Sequence, residues 1–113
     1  MQTMKQAKVF YKNLLAGILT ETDEDYVFQY AGEYLENQEA RPVSHTLPLQ
    51  KEAFHSRMLF PFFDGLIPEG WLLDIAENNW KIKANDRMSL LLACCRDCIG
   101  AVSVVPLQGE ELL

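Results

Sequence analysis

Cys94, Cys95 and Cys98 crowd together, and Cys95-Arg96-Asp97-Cys98 has the spacing of a redox or metal-binding CxxC pair. A reactive dithiol normally sits at a helix N-terminus, where the helix dipole lowers the thiol pKa. This motif instead falls at the end of an apolar helical repeat, where the dipole has the opposite sign. A zinc site needs two more ligands, and His45 and His55 are far away with no ligand-like spacing. A structural role is the preferred reading of all three cysteines. A redox role predicts a low thiol pKa, which titration would reveal. Asp64 and Glu69 place two carboxylates near one corner and superficially resemble an acid–base pair. No nucleophile accompanies them. Asp64 reads as a turn cap, and Glu69 as a charge placed favourably beside a helix N-terminus. His45 falls in a predicted strand and reads as a surface or hydrogen-bonded residue. The sequence contains no glycine-rich phosphate loop, no GxSxG and no HExxH. These residues imply a chain that is not an enzyme, with no catalytic residue, no cofactor and no metal. They point instead to an interaction module.

The element that must carry the interaction is Phe60–Trp71, FPFFDGLIPEGW. Pro61 and Pro68 each remove a backbone donor and restrict the residue before them, while Gly65 and Gly70 admit backbone angles that other residues resist. The stretch therefore predicts a helical turn over 62–66, a tight corner at Pro68-Glu69-Gly70, and a helix from Trp71 to Trp80. Phe62, Phe63, Leu66 and Ile67 read as core. Trp71, just past the corner, reads as a ring that projects outward and anchors a partner.

The remaining elements follow from patterning. Ala7–Thr20 predicts a β-hairpin turning at Lys12-Asn13, with Gly17 marking a bulge or a close backbone approach. The acidic run Glu21–Asp25 reads as a solvated loop. Tyr26–Tyr30 predicts a third strand with Tyr26, Phe28 and Tyr30 on one face. One helical turn is expected around Tyr34 and Leu35, and a fourth strand over Val43–Leu49. Gln50–Ser56 reads as a polar connector pinned by Phe54. Met88, Leu91, Leu92 and Cys95 repeat at helical spacing, with Asp86 as a candidate N-cap. Ala101–Val105 is a final β-rich segment whose neighbour in the sheet the pattern leaves open. Early strands followed by helices indicate an α+β fold, a mainly antiparallel sheet with helices packed on one face. The expected organisation is a single domain over residues 1–107 with a flexible tail at 108–113.

The 113 residues carry ten Lys+Arg against sixteen Asp+Glu, a net charge of -6. That balance argues against direct nucleic-acid binding, which needs a concentrated basic surface. No window approaches the ~20 apolar residues of a membrane span, and the first residues lack the pattern of a signal peptide. The odd, clustered cysteines argue against a disulfide framework. Cytoplasmic localisation is the expectation.

Three segments, FQYAGEYLENQEARPVSHTLPL (28–49), FFDGLIPEG (62–70) and RDCIGAVSVVP (96–106), resemble the N-terminal domain of HipA-type toxin kinases, in the same order. The hairpin over 9–20 fits the start of that domain. One departure is Cys95, where the family usually has glycine before the Arg-Asp pair. The resemblance implies a HipA N-terminal-subdomain-like fold without the kinase core that follows it in HipA. A free-standing chain of this kind is similar to the HipS-like antitoxins of three-gene HipBST systems. That resemblance implies a HipT-like Ser/Thr kinase toxin as partner and a HipB-like DNA-binding protein in the same complex. Asp64, Pro68, Glu69, Gly70, Trp71 and Leu72 are then the expected partner-binding residues. The alternative is a non-inhibitory structural subunit, or an N-terminal fragment of a HipA-like kinase.

Overall fold

The computed structural model describes residues 5–67, 87–94 and 101–107. Its centre is a five-stranded, wholly antiparallel sheet of order β4-β3-β2-β1-β5. The strands are β1 (Lys5–Tyr11), β2 (Leu14–Glu21), β3 (Tyr26–Tyr30), β4 (Phe54–Ser56) and β5 (Val102–Pro106). Three helices complete the described chain: α1 (Gly32–Leu35), α2 (Pro61–Asp64) and α3 (Arg87–Cys94). No helix of the described residues is long and apolar enough to cross a membrane.

The first hairpin turns where expected. Lys12 and Asn13 have φ of 51° and 71°, the left-handed pair that a tight two-residue hairpin loop needs to match strand twist. Gly17 also behaves as its position implies. Register shifts between Val9↔Gly17 and Phe10↔Leu15, leaving Ala16 as the extra residue of a β-bulge. The Ala16 carbonyl is not orphaned, because it accepts from the Ala31 N–H at 2.7 Å. A Cβ at position 17 would lie 2.4 Å from the Gln29 carbonyl oxygen and 3.0 Å from the Phe28 ring. Gly17→Ala is therefore expected to cost about 1–3 kcal/mol of stability through backbone displacement. Urea denaturation checks this, and a wild-type midpoint would refute the close approach.

Strand alternation sends one set of side chains to the core face. Ala7, Val9, Leu19, Phe28 and Val104 are fully buried there, with Tyr30 nearly so. The helices pack on this face. Tyr34 of α1 stacks on Tyr30 with ring centroids 6.0 Å apart, and Phe63 of α2 lies 5.5 Å from Phe28. Ser89 of α3 accepts from Lys5 Nζ at 2.9 Å. Met88, Leu91 and Leu92 are buried as the helical spacing predicts, and Leu90 is buried as well. A single stripe did not require Leu90. The predicted helix over 71–80, the N-cap at Asp86, the stripe residue Cys95 and the tail at 108–113 lie outside the described residues.

One expected strand is absent from its place. Val43–Leu49 forms only an isolated Ser44↔Leu47 bridge around a turn, and the fourth strand is Phe54–Ser56, within the stretch read as a connector. The reason is visible in two tyrosines. The Tyr30 hydroxyl accepts from the Val43 N–H and donates to the Leu47 carbonyl, and the Tyr34 hydroxyl accepts from the Arg41 N–H and donates to its carbonyl. These bonds satisfy backbone groups that a strand would have offered to a neighbour. Burial pushes the Tyr30 phenol pKa up, partly opposed by the bond from Val43. His45 accordingly sits exposed in a loop, not in a strand. The final strand finds its neighbour in β1, with Val104 opposite Val9.

Candidate functional site

Pro61 starts α2, where its missing N–H costs nothing. Phe60 before it is extended, at φ -53° and ψ 136°, as the residue before proline prefers. The turn closes through Asp64 N–H to the Phe60 carbonyl and Gly65 N–H to the Pro61 carbonyl, each 2.9 Å. Phe63 and Ile67 are buried as predicted, whereas Phe62 and Leu66 are half-buried at the core's edge. Gly65 adopts φ -69° and ψ -14°, angles open to any residue, so the special backbone freedom expected of it is not used.

Asp64 does not cap the turn with its carboxylate. Its Oδ1 accepts from Arg87 Nε at 2.7 Å, tying α2 to the start of α3. The pair is substantially exposed, and such pairs contribute at most about 1 kcal/mol. Asp64→Asn is expected to lower stability by less than that, measured by denaturant unfolding. A larger loss would mean that the pair is a structural clasp and not a surface contact.

Beside this pair lies an open cleft of about 460 Å³. Tyr26 of β3, the loop residues Arg57, Met58 and Leu59, Pro61 and Asp64 of α2, and Arg87 of α3 line it. Nearby carboxylates are held by their own partners. Glu21 accepts from the Tyr26 hydroxyl at 3.3 Å and lies 3.9 Å from Lys5 Nζ. Asp25 accepts from the Thr22 hydroxyl at 2.8 Å, and His55 Nδ1 lies 3.1 Å from its other oxygen. Chiefly the Thr22 hydroxyl, then the His55 contact, hold the Asp25 carboxyl below the usual carboxylate range. Arg57 has no carboxylate at ion-pair distance among the described residues. Met58 is 76% exposed. The cleft offers the Arg57 guanidinium beside a thioether and a proline ring, a combination suited to recognition.

Of the expected partner-binding residues, Asp64 stands in this cleft. Pro68, Glu69, Gly70, Trp71 and Leu72 lie outside the described residues, as do Cys95 and Cys98. Arg57, Met58 and Arg87 were not singled out from sequence.

A family model for the HipA N-terminal domain matches residues 7–105. An uncharacterized protein of Haemophilus influenzae is 32% identical over 101 residues, covering 89% of this chain and 92% of that protein. The putative kinase Y4mE of Sinorhizobium fredii is 30% identical over 112 residues, covering 97% of this chain but 26% of the kinase. A solved N-terminal domain of HipA toxin superposes with a TM-score of 0.74 at 26% identity, covering 97% of this chain and 99% of that one.

Proposed function

The chain belongs to the HipA N-terminal domain family, and from that premise we propose that it is a HipS-like antitoxin that binds a HipT-like Ser/Thr kinase and blocks it. The observation that carries this reading is the occurrence of one domain in two settings. It makes up nearly all of the small Haemophilus protein and about a quarter of a putative kinase. A domain that occurs both ways can act on a kinase in trans. The partner surface runs from Asp64 through Pro68, Glu69 and Gly70 to Trp71 and Leu72. Its first residue, Asp64, ends α2 and pairs with Arg87. Trp71 fills a cleft near the kinase's nucleotide site and hinders the motion that catalysis needs. The chain itself does no chemistry. A HipB-like protein supplies DNA binding in the same cytoplasmic complex, in keeping with the acidic balance of this chain.

The kinase relative also favours a second reading, in which the domain is a non-inhibitory part of a longer HipA-like kinase. Growth of bacteria expressing a HipT-like kinase, with and without this chain, separates the two. Rescue of growth supports the antitoxin. Co-purification without rescue supports the structural subunit.

A further inference from the structure

We propose that Arg57 and Met58 form a second partner contact, receiving an extended kinase segment in which an Asp or Glu lies next to an apolar side chain. This rests on the reading that the chain binds a HipT-like kinase, and it adds a surface and a partner chemistry. Three observations converge on it. The first is charge. In a chain of net charge -6, Asp64, Asp25 and Glu21 around the cleft each have a partner already. Arg57 has none among the described residues, so their part of the cleft presents an uncompensated cation. A guanidinium offers a planar fork of donors that matches a carboxylate with two parallel bonds.

The second observation is apolar exposure. Met58 is 76% exposed, more than any other large apolar side chain among the described residues. It stands next to Arg57 and lines the same cleft as Pro61. Methionine adapts to irregular partner surfaces, and Met and Arg are both enriched at interfaces. The third is continuity. The cleft shares Asp64 with the partner surface already inferred, so one bound molecule can cover both. Since the loop 57–60 runs directly from β4 into α2, the two contacts sit on a framework fixed by the core residues Leu59, Phe60 and Phe63.

The test is the affinity of a purified HipT-like kinase for the full chain and its Arg57→Glu, Arg57→Gln and Met58→Asp variants, at low and high salt. Arg57→Glu is expected to weaken binding about tenfold or more, the scale of one lost charged contact, and Arg57→Gln by a smaller factor with a flatter salt dependence. Met58→Asp should weaken binding comparably, by placing a carboxylate against the partner's. Both side chains are exposed, so thermal melting should match wild type and exclude misfolding as the cause. Wild-type affinity and salt dependence in all three variants would overturn this contact and leave the antitoxin reading intact. Failure of the wild-type chain to bind the kinase would overturn both.

Discussion

Phe28→Ala is expected to cost about 3–5 kcal/mol of folding stability, the range for removing a fully buried phenylalanine. Phe28 has no exposed surface. It is the meeting point of the aromatic core: Tyr30 lies 4.9 Å away edge-on, Phe63 5.5 Å, and Phe54 6.4 Å in a stacked arrangement. The same ring closes over Gly17 on the neighbouring strand. Its loss would leave a cavity between β2, β3, β4 and α2 that no single neighbour can fill, because each is fixed by its own strand or helix. Small domains have about 5–15 kcal/mol in total, so the variant should be partly unfolded at modest urea. Phe28→Leu keeps most of the volume and should lose less. Urea titration of both variants by circular dichroism checks the order. Equal midpoints for Ala and wild type would mean that the sheet and α2 are not held together through this ring.

The aromatic core and the hairpin were legible because their causes are local. Lys12-Asn13 can satisfy a tight turn by itself, and the alternation of Tyr26, Phe28 and Tyr30 marks one inward face, on which Phe28 and Tyr30 are buried and Tyr26 half-buried. The fourth strand was misplaced because its competitor is not local. The β-rich letters of Val43–Leu49 fit a strand, but two tyrosine hydroxyls reach from β3 and α1 and claim the backbone groups of Arg41, Val43 and Leu47. Propensity cannot register a bond from a side chain thirteen residues away. The short strand Phe54–Ser56 was overlooked for the converse reason. Two of its three letters are polar, and only pairing with β3 makes it a strand. The candidate site divides in the same way. Asp64 was readable as a corner carboxylate, but its partner Arg87 is 23 residues distant. The cleft that contains them arises only when α2 and α3 meet.

Trp71→Ala is expected to weaken binding to the HipT-like kinase by about 2 kcal/mol or more, roughly a thirtyfold loss of affinity. The sequence gives the reason. Trp71 follows Pro68-Glu69-Gly70, where a proline and a glycine predict a corner, and a large amphipathic ring just past a corner is a typical interface anchor. Tryptophan leads the residues whose truncation costs most at interfaces. Two measurements on one variant decide the assignment. A surface anchor leaves the unfolding free energy near wild type while affinity and growth rescue fall. A core tryptophan would instead lower stability by about 3–5 kcal/mol, and binding would fail only in proportion to the unfolded fraction. Unchanged affinity at unchanged stability would remove Trp71 from the interface altogether and leave the kinase contact to the Asp64 and Arg57 side of the cleft.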